Sequence, residues 1–156
     1  MEIRKTMCLI LTLSLLIVSG AGVKAYTGTG PIRIDSNSDF VNIASSGNGT
    51  IENPWIIEGL DINGAGYGYC IYVGNTTDCF VIQNNYLHDA YAGNCDYMYY
   101  ANAGITLYNV ENGAVVGNEI DSNFCFGILL YDSSGNVIQE NNVTNIESIR
   151  NTIREE

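Results

Sequence analysis

AGITLYNVENGAVVGNEIDSN, from Ala103 to Asn123, is followed by FGILLYDSSGNVIQENNVTNI, from Phe126 to Ile146, and the two segments are copies of one pattern. With Gly104 aligned on Gly127, at a shift of 23 residues, apolar residues meet apolar residues and asparagine meets asparagine. Self-similarity at such a period indicates a solenoid, in which each copy is one structural unit.

Two earlier copies precede this pair. They are CIYVGNTTDCFVIQNNYLHD and the more divergent WIIEGLDING. The shift between these two is 25 residues, but from the second copy to the third it is 33 to 34. The larger shift predicts one ordinary turn with an inserted loop around Tyr91 to Asn102.

Each copy contains two short segments with period-2 alternation of apolar residues, separated by Gly, Asn, Asp and Ser, which is typical of strands and tight turns. One copy is too small to bury a core, so the copies must stack. The pattern predicts an all-β fold, a parallel β-helix of about four rungs spaced about 4.8 Å apart. Alignment of the copies gives two columns of inward apolar residues, which are Ile57, Ile82, Val115 and Ile138, and Ile62, Leu87, Ile120 and Val143. It also gives an asparagine ladder of Asn85, Asn118 and Asn141, with Leu60 in the ladder position of the first copy.

The chain outside the repeats divides into three parts. Residues 1–25 have basic residues, an apolar run from Cys8 to Val18 and a small-residue end, which predicts a secretory signal peptide cleaved after Ala25, with an uncleaved anchor as the alternative. Residues 26–53 predict an N-terminal strand and a short capping helix, and the repeats occupy 54–146. Residues 147–156 predict a C-terminal cap or tail; the alternative is a fragment of a longer repeat array.

The charge is strongly acidic. Without residues 1–25, 16 of the 17 acidic residues remain but only three of the six basic ones. Such a surface disfavours nucleic acid, anionic lipid and polyuronates unless cations bridge them. The sequence predicts a secreted or cell-surface protein that makes no membrane contact after signal cleavage, and it leaves the oligomeric state open.

Covalent modification is predicted at two kinds of position. Four cysteines remain after signal removal, and in an exported chain they suggest one or two disulfides, with packed free thiols as the alternative; they are Cys70, Cys79, Cys95 and Cys125. Cys95 is the strongest candidate, because a crosslink would hold the inserted loop. Three sequons predict N-glycosylation, at Asn48, Asn75 and Asn142.

Catalytic and metal-binding patterns are sparse. The register places Asp61 and Glu119 two rungs apart on the outward surface, about 9.6 Å, near the separation of about 6.5–9.5 Å used by inverting glycosidases. His88 falls beside Asp121 of the next rung, but we expect His88 and Asp89 to point apart as strand neighbours, so no metal site is predicted. No cofactor is expected, although turn oxygens at Asp78, Asp96 and Asp132 would suit calcium.

Tyrosines dominate the inserted loop and its surroundings. Aromatic faces with a hydroxyl at the rim suit sugar rings, which predicts a carbohydrate-binding surface, with packing of the loop against the flank as the alternative. The candidate residues are Tyr72, Tyr86, Tyr97, Tyr99 and Tyr100.

The repeats resemble secreted right-handed parallel β-helix proteins of archaea and bacteria in the pectin-lyase-like superfamily, which includes a NosD-like copper-maturation group. NVIQENNVTN, GILLYDSSGN and GNGTIENPWIIEGLDING carry the resemblance, which covers roughly Pro31 to Ile146. It implies a right-handed coil and is uninformative about activity. The hydrolases' clustered Asp motif and the lyases' basic residues are missing, so no family active-site residue is transferred.

From sequence we expect an exported, non-catalytic module that binds a polysaccharide or a cell-envelope glycan, or that is structural. The alternative is a polysaccharide-processing glycoside hydrolase or lyase that uses Asp61 and Glu119.

Overall fold

The computed structural model describes residues 25–93 and 102–146. Within these residues the chain forms short strands and one 3₁₀ helix, Asn37–Asn42. The strands are β1 Thr27–Thr29, β2 Ile32–Ile34, β3 Trp55–Glu58, β4 Leu60–Ala65, β5 Tyr69–Thr76, β6 Phe80–Gln83, β7 Tyr86–Tyr91, β8 Ala103–Val110, β9 Gly113–Val116, β10 Glu119–Asp121, β11 Phe126–Tyr131, β12 Val137–Gln139 and β13 Asn142–Thr144.

The strands assemble into three parallel sheets that the chain visits in a fixed cycle. Sheet A has the order β1-β4-β7-β10-β13, sheet B the order β11-β8-β5-β2, and sheet C the order β12-β9-β6-β3. Every third strand therefore returns to the same sheet, one rung further along. The predicted all-β parallel β-helix is confirmed.

Each turn of the coil contains three strands, whereas the sequence predicted two. Strands of sheets C and A are joined by one or two residues, such as Gly59, Asn84-Asn85 or Gly117-Asn118. Asn84 and Gly117 have positive φ values of 53° and 63°, so this corner is made by one left-handed residue. Because this connection is so short, the sequence contains no run of turn-forming residues between the two strands, and the repeat pattern therefore predicted them as a single segment.

The predicted columns are present. Ile57, Ile82, Val115 and Ile138 pair in register through sheet C, and Ile62, Leu87, Ile120 and Val143 through sheet A. Most of these side chains belong to one buried core, whereas Val143, on the last described rung, is 42% exposed.

The coil begins earlier than residue 54. Ile32 and Ile34 of β2 pair with Ile71 and Val73 of β5, so the N-terminal strands are part of the sheets themselves. The predicted cap is the 3₁₀ helix. Its Phe40 is fully buried and closes this end of the core by packing 5.4 Å from the ring of Phe80.

The asparagine ladder connects the rungs at the corner between sheets C and A. Asn85 Nδ2 donates to Asn118 Oδ1 at 2.9 Å, and Asn118 Nδ2 donates to Asn141 Oδ1 at 2.9 Å. In the first rung the backbone N–H of Leu60 donates to Asn85 Oδ1 at 3.0 Å, so the ladder ends there on a main-chain group. Each amide also satisfies backbone groups of its neighbours, which fixes the register of successive turns.

Candidate functional site

The outward surfaces of the three sheets differ in what they expose. Outward residues of sheet C form a second, buried apolar cluster, and central outward residues of sheet B are also buried. These residues are Ile56, Val81, Ala114 and Val116 in sheet C, and Tyr72 and Thr106 in sheet B. Among the described residues, only sheet A presents solvent with a polar surface that continues across its rungs.

The outward surface of sheet A, called face A below, has two columns set by strand register. The columns are Asp61, Tyr86, Glu119, Asn142 and Asn63, His88, Asp121, Thr144. Tyr26, which precedes β1, and Asp89 complete face A. The register places Asp61 and Glu119 two rungs apart with Tyr86 between them, as the repeat predicts.

His88 is held between two carboxylates. Its Nε2 lies 3.0 Å from Asp61 Oδ1, and its Nδ1 lies 2.7 Å from Asp89 Oδ2. Asn63 Nδ2 donates to the same Asp89 oxygen at 2.9 Å. A neutral imidazole has one N–H, so only the imidazolium form donates to both carboxylates.

The expectation that His88 and Asp89 point apart is wrong. Asp89 has a φ of 57°, in the left-handed region, and lies where the pairing of β4 with β7 shifts register between Asn63 and Ala65. This bulge adds a residue and re-aims its side chain, so the strict alternation of strand side chains does not apply. His88 pairs in register with Asp121, as expected, but its hydrogen bonds go to the other two carboxylates.

Two tyrosines pack together on face A. The imidazole of His88 stacks on Tyr86 with ring centroids 4.7 Å apart, and Tyr26 lies 6.0 Å from Tyr86. Burial is the main cause that raises the pKa of Tyr26, and the nearby carboxylates of Glu119 and Asp61 add to it. The pKa of Tyr86 is raised in the same way, first by burial and then by the carboxylates of Asp121 and Glu119. Both hydroxyls are therefore protonated donors at neutral pH.

The carboxylates of face A differ in how many hydrogen bonds they accept from the protein. Asp121 accepts hydrogen bonds from Thr144 Oγ1 and Asn145 Nδ2, both at 2.8 Å, and from Ser122. These hydrogen bonds lower the pKa of Asp121, and the bond from Thr144 contributes the most. Glu119, in contrast, is exposed and its carboxylate accepts no hydrogen bond from a described residue.

Of the predicted carbohydrate-binding tyrosines, the two that the structure describes lie on different sheets, Tyr72 on sheet B and Tyr86 on sheet A. Tyr72 is only 3% exposed, because the Arg33 guanidinium covers its ring at 4.2 Å and its hydroxyl end lies against Gly74. The prediction that Tyr72 offers a free ring face is therefore wrong. Tyr86 belongs to face A, but one side of its ring is occupied by His88. Tyr97, Tyr99 and Tyr100 lie outside the described residues.

The cysteine prediction is corrected in part. Cys70 and Cys79 are buried and form no disulfide, whereas Cys125 is disulfide-bonded. Cys70 lies near the start of β5 and Cys79 beyond its end, so six strand steps from Cys70 to Thr76, about 20 Å, already separate them and they cannot pair with each other. Cys95 lies outside the described residues.

The three sequons occupy different settings. Asn48 Oδ1 accepts from Thr50 Oγ1 at 2.9 Å, and Asn75 Oδ1 accepts from Asn109 Nδ2 at 3.0 Å. Asn142 is exposed at the last described rung of face A, beside Glu119.

Metal coordination is not indicated on this part of the chain. Within residues 25–93 and 102–146 no group of three His, Cys, Asp or Glu side chains is arranged to hold a metal ion. Asp78, one of the calcium candidates, accepts from Trp55 Nε1 at 2.9 Å; Asp132 occupies a left-handed turn, and Asp96 lies outside the described residues.

No helix within residues 25–93 and 102–146 is long and apolar enough to cross a bilayer.

Sequence reasoning missed two features of face A. The first is the contact of His88 with both Asp61 and Asp89, which depends on a bulge. The second is Tyr26, which precedes the first strand and lies outside any copy of the repeat. The alignment of copies carries a signal for neither.

A family model described as a right-handed β-helix region matches residues 19–152. No curated protein and no solved structure gives a significant match to the chain.

Proposed function

We propose that this protein, which belongs to the right-handed β-helix family, is an exported, non-catalytic module of the cell surface or extracellular space that binds carbohydrate on face A. Export rests on the sequence of residues 1–25. The observation that carries the binding proposal is face A itself, where exposed carboxylate, amide and hydroxyl groups line up across successive rungs.

Carbohydrates are recognised by polar groups that match their hydroxyls, on a scaffold that does not reorganise. Face A supplies acceptors from Asp61 and Glu119, a donor from Tyr86 and an amide from Asn142. The backbone beneath them is held by parallel pairing on neighbouring rungs and by the asparagine ladder. Outward groups recur at about 4.8 Å, so a linear polymer lying along the coil axis would meet several rungs at once.

The proposal is tested with protein purified after expression of the full-length chain. Binding to a panel of neutral, acidic and amino polysaccharides is measured by calorimetry, for the wild type and for Glu119→Gln and Tyr86→Phe. Glu58→Gln is the matched control, since it removes one carboxylate on sheet C, away from face A. We expect Glu119→Gln and Tyr86→Phe to weaken binding at least about fivefold and the control to leave it unchanged.

Tyr97, Tyr99 and Tyr100 remain proposed contributors through the inserted loop. Tyr99→Ala tests them in the same titration, and weakened binding would assign the loop to the binding surface. Retention of full affinity by every face A variant would refute the binding site.

A second candidate function is hydrolysis of a glycan. It is favoured by one observation, the register that aligns Asp61 with Glu119 two rungs away, about 9.6 Å along the sheet. One carboxylate would act as the acid and the other as the base that activates water. Release of sugar from a polysaccharide panel, with and without calcium, and its abolition by Glu119→Gln would favour this function over binding alone.

A further inference from the structure

We propose that the disulfide of Cys125 joins it to Cys95 and so fastens the inserted loop to the next turn of the coil. Cys125 is disulfide-bonded, and the whole chain contains five cysteines. This inference concerns the covalent structure of the chain and does not depend on carbohydrate binding at face A.

The candidates for the partner of Cys125 are few. Cys70 and Cys79 form no disulfide. Cys125 is 0% exposed, so a sulfur of a second chain has no access to it. The partner is therefore Cys8 or Cys95. Cys8 belongs to the predicted signal peptide, which cleavage removes, and Cys95 is left.

Cys125 lies at the same corner of the coil as the inserted loop, one turn further along. The loop connects β7 of sheet A to β8 of sheet B, and Cys125 lies in the next such connection, from β10 to β11. The backbone N–H of Cys125 donates to Asn102 O at 3.0 Å, where the loop ends. The backbone N–H of Phe124 donates to Ala90 O at 3.3 Å, where the loop begins. Both ends of the loop are therefore bonded to one short segment.

Asn102 closes the neck of the inserted loop beside the sulfur of Cys125. Its Oδ1 accepts from the backbone N–H of Ala92 at 2.7 Å, and its Nδ2 donates to Gly93 O at 3.0 Å. The same Nδ2 lies 3.6 Å from Cys125 Sγ. One side-chain amide thus contacts both Gly93 and the sulfur that is to be paired.

Cys95 is close enough to pair with this sulfur. It lies outside the described residues, but it follows Gly93 by two positions, which is at most about 7 Å of chain. The Cα atoms of a disulfide lie about 4.4–6.8 Å apart. Because Gly93 and Cys125 share the amide of Asn102, a cysteine two residues beyond Gly93 meets this requirement.

Formation of the bond oxidises both side chains. The two Sγ–H groups lose two protons and two electrons as the S–S bond forms. The electrons pass by thiol–disulfide exchange to an oxidoreductase that carries a disulfide, which becomes a dithiol. An oxidising compartment outside the cytoplasm supplies this oxidant and preserves the product.

The neighbouring thiol of Cys70 does not exchange with the bond. Its Sγ lies 3.3 Å from His88 O in the interior, and burial raises the pKa of Cys70 to about 12. Because the thiolate is the attacking species, a thiol that stays protonated at neutral pH leaves the disulfide intact.

The test maps the disulfide in the exported protein by mass spectrometry. Thiols are blocked with iodoacetamide in urea without reductant, and the chain is then cleaved before each aspartate. This cleavage places the last four cysteines of the chain in separate fragments, 61–77, 78–88, 89–95 and 121–131. We expect 89–95 and 121–131 to be joined until reduction, and the other two fragments to carry the label.

Cys95→Ser gives a second measurement that does not depend on fragments. Because the bond closes a loop of about 30 residues, its loss should lower the urea midpoint of unfolding by about 1–2 M. Dithiothreitol should cause the same shift in the wild type and none in Cys95→Ser. Asn94→Ser is the matched control, since it changes the neighbouring residue and retains both sulfurs, and it should keep the joined fragments and the midpoint.

The mapping decides the pairing even where Cys95→Ser does not fold. Fragment 121–131 joined to any fragment other than 89–95, including 1–34 with Cys8, overturns the proposal. Labelling of Cys125 in the exported protein before reduction overturns it as well. A midpoint of Cys95→Ser that falls further on reduction would show that Cys125 pairs elsewhere, with the same consequence.

Discussion

Replacement of Asn118 by alanine tests how the coil holds its register. Asn118 is 1% exposed, and its side chain makes four short hydrogen bonds across the rungs. Nδ2 donates to Ile82 O and to Asn141 Oδ1, both at 2.9 Å, while Oδ1 accepts from the backbone N–H and the side-chain amide of Asn85 at 3.1 and 2.9 Å. The substitution removes all four.

The size of the loss follows from what is left behind. The buried N–H of Asn85 loses its acceptor, which costs about 1–3 kcal/mol, and the other bonds contribute about 0.5–1.5 kcal/mol each. We expect Asn118→Ala to lower the free energy of unfolding by about 3–5 kcal/mol. With a urea dependence of about 2 kcal/mol/M, the midpoint should fall by about 2 M.

Urea unfolding followed by far-UV circular dichroism, with the disulfide intact, measures this change. Asn141→Ala is the matched control, because Asn141 occupies the same ladder but is only half-buried, so water can replace its bonds; we expect about 1–2 kcal/mol there. If Asn118→Ala costs less than about 1 kcal/mol, or no more than Asn141→Ala, the ladder does not stabilise the stack as argued.

Three further predictions concern packing, pH and thiol chemistry. Gly113→Ala places a methyl carbon 2.5 Å from the Phe80 ring, so the midpoint of thermal unfolding should drop by the equivalent of about 1–3 kcal/mol; an unchanged midpoint would show that the ring yields freely. Thr144→Val removes the largest cause of the lowered pKa of Asp121, so the carboxyl should titrate at higher pH by NMR. The stability linked to this group is present above its unfolded pKa and is lost as pH falls through the folded pKa, so the variant should lose it at a less acidic pH; an unmoved titration would contradict the assignment. Burial raises the pKa of Cys70 to about 12, so at pH 8 iodoacetamide should label it only after unfolding, as read by peptide mass spectrometry; rapid labelling of the native protein would contradict its burial.

The repeat made the core predictable. Val115 and Ile138 are recognisable as partners because parallel rungs place like positions of each copy on top of one another, and the ladder of Asn118 and Asn141 follows from the same shift. Alignment of the copies therefore predicts both the inward columns and the outward pairing of Glu119 with Asn142.

Features that differ from copy to copy were not predictable in this way. Tyr72 is outward by register, yet Arg33 of the first rung and a glycine beside it allow the ring to lie flat and buried. The left-handed conformation of Asp89 re-aims a carboxylate that strict alternation assigns to the other direction. Both depend on contacts that the repeat does not encode, and the second changes the surface where the candidate site lies.

The ladder at the corner between sheets C and A has a consequence for the evolution of the chain. Each turn after the first brings its own ladder asparagine and its own left-handed corner residue, so a duplicated copy of 23 residues could enter the stack without rebuilding its neighbours. Gene duplication or loss would then change the height of the coil in whole turns of about 4.8 Å, while Phe40 continues to close the same end. Binding groups on such a scaffold can be moved apart or together in fixed steps, which gives selection a direct means of matching the repeat length of a polymer.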